Sequence, residues 1–190
     1  MARGYYLSKG MTKKKLIKME SVPTKESKER IESWLWDSEV LRVFVDASEL
    51  KNQGIFGFGV IFVGQGATLV RTKKHYNQAM RKVNVYAEIA AVEFALTQVE
   101  EVVGNEFDQP SKILIYSDWN EVDKLKETAM LTKRVPEINA IAKKINEKKL
   151  LFTISHPTVE LEILYMGDEM KKHNIYHRGA HNFSRKVIGL

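Results

Sequence analysis

Leu41 to Val63, LRVFVDASELKNQGIFGFGVIFV, is the stretch whose reading decides the fold. An apolar run, Val43 to Val45, ends on Asp46, and a short polar loop with a glycine follows. A second apolar run then restarts through Ile55, Phe56, Phe58, Val60, Ile61 and Phe62. The pattern predicts a β-hairpin whose first strand carries a carboxylate in its middle. Burying that charge in a sheet is costly unless a cation or a metal compensates it. Gly54, Gly57 and Gly59 are a second anomaly. Glycine weakens a strand interior and marks a bulge or a close backbone approach. Two local penalties in one hairpin are what a functional site produces.

The 190 residues around it suffice for one globular domain with an appendage. Cysteine is absent, which rules out disulfides and thiolate metal sites and fits a reducing compartment. No apolar run reaches the roughly 20 residues of a spanning helix, and the N-terminus lacks the apolar core of a signal peptide. The expectation is a cytoplasmic protein with no membrane partner, and nothing in the sequence calls for a protein partner. The net charge of +6 is concentrated at one end. Before Ile31 stand nine basic residues, Arg3, Lys9, Lys13, Lys14, Lys15, Lys18, Lys25, Lys28 and Arg30, against Glu20, Glu26 and Glu29. Nine minus three equals the whole surplus. Residues 1–38 therefore read as a basic N-terminal extension, either a phosphate-binding arm or a solvated tail, and 39–190 as the main domain.

Within the extension, Tyr5 to Leu7 suits a short strand, and Lys25 to Trp36 has helical composition with Ile31, Trp34 and Leu35 on one face. Thr68 to His75 adds a third strand to the hairpin. In Val85 to Val99, residues Ala87, Ala90, Ala91, Phe94, Ala95 and Gln98 recur at helical spacing. Ile113 to Tyr116 is wholly apolar, as expected of a central strand, and a helical stretch from Glu121 to Lys126 follows it. Pro136 to Lys149 predicts a helix, and Leu150 to Ile154 and Leu161 to Tyr165 predict two strands. A meander followed by alternating strands and helices implies a mixed sheet with helices packed on it.

Three carboxylates stand out. Asp118 closes an apolar strand and opens a helix, a place suited to a ligand site or to a simple helix cap. Glu88 lies among alanines on the flank of its helix nearest the sheet, where a half-exposed helix residue is the plain alternative. Asp46 resists a plain reading, because strand alternation sets it opposite Val43 and Val45, between apolar neighbours. Oxygen ligands from two strands and a helix, with no cysteine available, suit a hard divalent cation such as Mg²⁺ or Mn²⁺. Two such ions about 3.5–4 Å apart clamp the attacking and leaving oxygens of a phosphodiester.

Taken together, FVDAS with NQGIFGFGV, NVYAEIAAVEFAL and ILIYSDWNEV resemble a ribonuclease H of type 1, within the ribonuclease-H-like superfamily. The three pieces stand in the family's order at similar separations and cover residues 41–125. The resemblance implies an α/β fold with a five-stranded mixed sheet, an antiparallel three-strand meander plus parallel strands. It also implies a two-metal endonuclease that cuts the RNA strand of an RNA·DNA hybrid and leaves a 5′-phosphate and a 3′-hydroxyl. The family's metal-holding acids fall on Asp46, Glu88 and Asp118. Its contacts to the RNA backbone and 2′-hydroxyls fall on Ser48, Gly54 and Asn84; reading the 2′-hydroxyl is how a protein tells RNA from DNA.

The chain departs from that pattern at its end. The family places a fourth carboxylate at the start of its last helix, but no acid follows Glu169 here. In the alignment through AHNFSRK, Asn182 stands in its place, keeping one oxygen ligand and losing a negative charge. That predicts a weaker second ion and either a preference for Mn²⁺ or slow cleavage. His173, His177 and His181 recur every four residues and offer an imidazole instead, although Gly179 argues against a long helix there. The alternative function is a nucleic-acid-binding protein on the same fold with weakened catalysis.

Overall fold

The computed structural model describes residues 22–126, 131–132 and 135–190, so the Tyr5 to Leu7 strand lies outside the described residues. In chain order come α1 (Lys25–Trp36), β1 (Val40–Glu49), β2 (Ile55–Gly64), β3 (Ala67–Tyr76), a 3₁₀ turn (Gln78–Met80), α2 (Asn84–Val102) and β4 (Lys112–Ser117). A second 3₁₀ turn (Val122–Lys126), α3 (Pro136–Ser155), β5 (Glu160–Tyr165), α4 (Asp168–Lys171) and α5 (Ile175–Lys186) complete it. The five strands form one sheet in the order β3-β2-β1-β4-β5. The first three are antiparallel neighbours, whereas β1 with β4 and β4 with β5 run parallel. This is the mixed five-stranded sheet the sequence implies. No helix among the described residues is long and apolar enough to cross a membrane.

Strand alternation divides the sheet into two faces. Val43, Val45, Phe56, Phe58, Val60, Ile113 and Ile115 pack with the alanine-rich side of α2 and with Ile138, Ala142, Ile145 and Phe152 of α3. Phe44, Ile61, Val63 and Tyr116 face the other way, toward Tyr176 and Ala180 of α5 and Ile31 and Trp34 of α1. The latter half of the basic extension therefore contributes to a core. It is also pinned at its end: Gly66 N–H donates to Leu35 O at 2.7 Å, and the Arg42 guanidinium lies 2.8 Å from the Asp37 carboxylate.

Gly57 and Gly59 mark a close approach rather than a bulge. A Cβ on Gly57 would meet the carbonyl oxygen of Ser184, and one on Gly59 that of Ala180, far inside van der Waals contact. The backbone of α5 lies directly on β2. Gly179 belongs to the same packing, because a Cβ there would come 2.6 Å from Ile61 Cδ1. It sits inside α5 and does not end the helix, contrary to the sequence expectation. A helix pressed on a sheet needs a small residue more than it needs propensity.

The strand expected over Leu150 to Ile154 is absent, because these residues form the last turns of α3. A short apolar run does not by itself distinguish helix from strand. Phe152 is buried seven residues after Ile145, on the same helical stripe, while Leu150, Leu151 and Ile154 are exposed. Pro136 opens this helix at a position where its missing N–H costs nothing. The stretch from Glu121 to Lys126 is a 3₁₀ turn, and β5 forms where Leu161 to Tyr165 predicts it.

Two substitutions measure these contacts. Trp34→Ala removes a buried ring that packs at a tilt 5.6 Å from Phe44, and is expected to cost about 3–5 kcal/mol. Gly59→Ala drives a methyl into α5, and overpacking of this kind costs about 1–3 kcal/mol. Urea unfolding checks both through a lowered midpoint at unchanged slope.

Candidate metal centre

Strand register brings two of the three acids together. Phe44 of β1 pairs with Tyr116 of the parallel β4. Asp46 and Asp118 each follow two residues later, so both emerge side by side on the face covered by α5. Asp46 is only 5% exposed. Its Oδ2 accepts from Ser184 Oγ at 2.7 Å and lies 3.3 Å from Nδ1 of His181. Ser48 extends this network, its Oγ 2.9 Å from Ser184 Oγ. Burial raises Asp46 above the ordinary carboxylate range and the Asp118 charge adds to that, while Ser184 and His181 oppose the shift.

Glu88 reaches the same cluster from α2. Burial, then the negative charges of Asp118 and Asp46, push its carboxyl well above its ordinary value. Its Oε2 is buried and has no hydrogen-bond partner. Beside Asp118, Lys171 Nζ lies 3.7 Å from its Oδ2. That ammonium also lies 5.6 Å from the centre of the Tyr165 ring.

The fourth member is His177. Ligand atoms of Asp46, Asp118 and His177 all lie within 4.8 Å of one another. The first turn of α5 is held by Asn174, whose side-chain oxygen accepts from Tyr176 N–H at 3.0 Å and His177 N–H at 3.1 Å. Nε2 of His177 is buried without a partner. Burial lowers the imidazole below its ordinary value and the nearby Lys171 and His181 reinforce that, against the pull of Asp118. A neutral imidazole is the form that binds metal.

Asn182 does not join them. It is exposed and follows the buried Ala180 by two positions, roughly 200° around the helix. The expected amide ligand therefore points away from the acids, and of the histidines offered instead, His177 comes within 4.8 Å of ligand atoms of both Asp46 and Asp118. His173 is buried but precedes α5 in a left-handed conformation, φ 60°, so it does not share the face of His177 and His181. Of the residues expected to touch nucleic acid, Gly54 adopts φ +66° in the β1–β2 turn, and a Cβ there would come 2.7 Å from Asn77 O. Asn84 is exposed at the first turn of α2. Ser184 and Lys171 escape sequence reading, because neither belongs to a recognisable spacing.

The donor set fits a divalent cation. Three carboxylates face one another in a half-buried site, and two of the four side chains keep a buried donor atom, Glu88 Oε2 and His177 Nε2, without a partner. An oxygen-rich set with one imidazole and no thiolate matches Mg²⁺ or Mn²⁺.

No protein-family model matches the sequence, and neither does any curated protein. Solved structures do. The type 1 RNase H of the halophilic archaeon Halobacterium salinarum is similar with a TM-score of 0.56 at 16% identity, over 78% of this chain and 97% of that one. LC11-RNase H1, isolated from compost, gives 0.55 at 17% identity, over 80% and 99%. Its complex with an RNA/DNA hybrid gives 0.50 at 16% identity, over 78% and 99%. The chain has the ribonuclease-H-like fold.

Glu88 makes the site sensitive to pH. Its carboxyl is raised above 4.5 in the fold, so the stability tied to its protonated form is complete below that value. It is lost as pH rises through the folded pKa. In EDTA, Glu88→Gln is expected to melt higher than the parent at neutral pH, and the gap to close in acid. Thermal melts from about pH 4 to 8 measure it.

Proposed function

We propose that this protein is a divalent-metal-dependent endonuclease that hydrolyses the RNA strand of RNA·DNA hybrids, leaving a 5′-phosphate and a 3′-hydroxyl. One observation carries the reading: Asp46 and Asp118, distant in sequence, meet beside His177, with Glu88 near enough to feel both charges and with buried donor atoms of Glu88 and His177 unpartnered. The fold's likeness to a type 1 RNase H solved on an RNA/DNA hybrid supports the choice of substrate.

Asp46, Glu88, Asp118 and His177 would hold the ions. Bound there, divalent cations polarise a phosphodiester and lower the pKa of a water molecule. The chain's own residues supply the order. Ser184 and His181 fix one oxygen of Asp46 and leave the other free for the cluster. Lys171 offsets part of the negative charge at Asp118. Ser48 and Asn84 would meet the RNA strand, buried Gly54 would shape the turn beside them, and the basic extension would add phosphate contacts.

A second reading, a hybrid-binding protein with weakened cleavage, is favoured by the ligand count, three carboxylates and one imidazole instead of four carboxylates. Incubation of end-labelled hybrid with Mg²⁺ or Mn²⁺ separates the two. Cleavage is expected, faster with Mn²⁺ because imidazole favours it, and Asp118→Asn should abolish it. His177→Asp is expected to shift the preference toward Mg²⁺. His181→Ala, which loosens Asp46, should cost roughly 10–100-fold in metal affinity or rate. Salt-sensitive binding with no fragments under either ion would establish the second reading.

Removal of residues 1–21 tests the extension. That segment carries Arg3, Lys9, Lys13, Lys14, Lys15 and Lys18 against Glu20, six minus one, and ends before α1. Hybrid affinity should fall and its dependence on log salt flatten, by about 0.9 for each phosphate no longer neutralised.

A further inference from the structure

We propose that Glu49 is a positioning residue for the nucleic acid, setting the spacing between the turn that carries Gly54 and the segment that leads into Asn84. The proposal rests on the nuclease reading above. Glu49 is the last residue of β1, half-buried, and belongs to neither core nor metal cluster. Its carboxylate is divided between two loops. Oε1 accepts from Gly54 N–H at 2.9 Å, and Oε2 accepts from Lys82 N–H at 3.0 Å. A third bond closes the arrangement, with Asn77 N–H donating to Gly54 O at 2.8 Å.

Both loops are strained. Lys51, Asn52 and Lys82 adopt φ of 44°, 59° and 65°, and Gly54 adopts 66°. Left-handed backbone is costly for residues other than glycine and persists only where the surroundings over-determine it. The side chains of Lys51, Asn52 and Lys82 are exposed, although Met80 and Val83 beside Lys82 pack on the core. The charge-assisted bonds to Glu49 join the pairing of Ile55 with Tyr76 and the Asn77–Gly54 bond in holding the two loops in register. Exposed, strained loops cross-linked in this way form a rigid rim rather than a stabilised core.

The sign of the effect distinguishes positioning from plain electrostatics. An anion beside the path of a polyanion repels it, so on charge alone Glu49→Gln should tighten hybrid binding. A glutamine keeps the volume but only one acceptor, and its NH₂ turns toward the N–H of one loop. If Glu49 positions the rim, the same substitution weakens binding.

The test uses the full chain, its Glu49→Gln and Glu49→Ala variants, and a labelled RNA·DNA hybrid. For both variants KM is expected to rise roughly tenfold, the effect of about 1.4 kcal/mol, with kcat within about twofold of the parent. Amide hydrogen exchange should quicken at Gly54 and Lys82 and stay unchanged across β1, β2 and β4. Should Glu49→Ala fail to fold, the isosteric glutamine variant carries the test. An unchanged or lower KM in Glu49→Gln, with an active parent, overturns the positioning role alone. A fall in kcat that matches the rise in KM also overturns it. A parent that neither binds nor cuts the hybrid overturns the nuclease reading and this role with it.

Discussion

Mutual repulsion among Asp46, Glu88 and Asp118 is the constraint on which the rest of the structure depends. Glu88 and Asp46 both sit above their ordinary range, through burial first and the charges of neighbouring carboxylates after it. The fold must bring them together against that resistance. It does so with rigid elements: two parallel strands in fixed register and a long helix packed by its alanines. None of the three acids rides on a long flexible loop.

The helix α5 completes the site, and its approach is set by residues that look unfavourable in isolation. Gly57, Gly59 and Gly179 each weaken their own element, yet together they let α5 lie directly on β2. That packing brings Ser184 and His181 to Asp46 and His177 to the cluster. On the same face, Phe44 stacks with Tyr116 and Tyr176 and meets Trp34 at a tilt, so α1 and α5 share one aromatic core. The helix from the basic extension is thus mechanically joined to the helix that carries His177. Arg30 adds a direct link, donating to Lys172 O at 3.4 Å beside Lys171.

Legibility follows the range of the interaction. The hairpin, α2 and β4 are readable because alternation and helical spacing are local signals, each repeated several times within its element. Leu150 to Ile154 misleads because so short a run, four apolar residues and Thr153, carries no period of its own, and only the burial of Phe152 against the sheet distinguishes helix from strand. Asn182 misleads for a related reason. An alignment through a short motif assigns a position but not a helical phase. One residue of slip turns a side chain by about 100°, enough to take Asn182 out to solvent. Gly179 misleads because its cost to the helix is local while its packing against Ile61 is not.

By itself the sequence determined the hairpin, the third strand, α2, β4 and β5, and singled out three acids as candidates for a hard cation. These follow from periodicity and from the penalty for burying an uncompensated charge, both of which act over a few residues. Tertiary structure decided which of the histidines the sequence offered comes within reach of both Asp46 and Asp118, and it alone decided that Ser184 and His181 hold Asp46, that Lys171 stands at Asp118 and that Glu49 joins two loops. Each of those contacts links segments far apart in the chain, and its geometry depends on the pitch and closeness of a helix on a sheet. Residue type and spacing do not encode that distance; the packing of the whole molecule does.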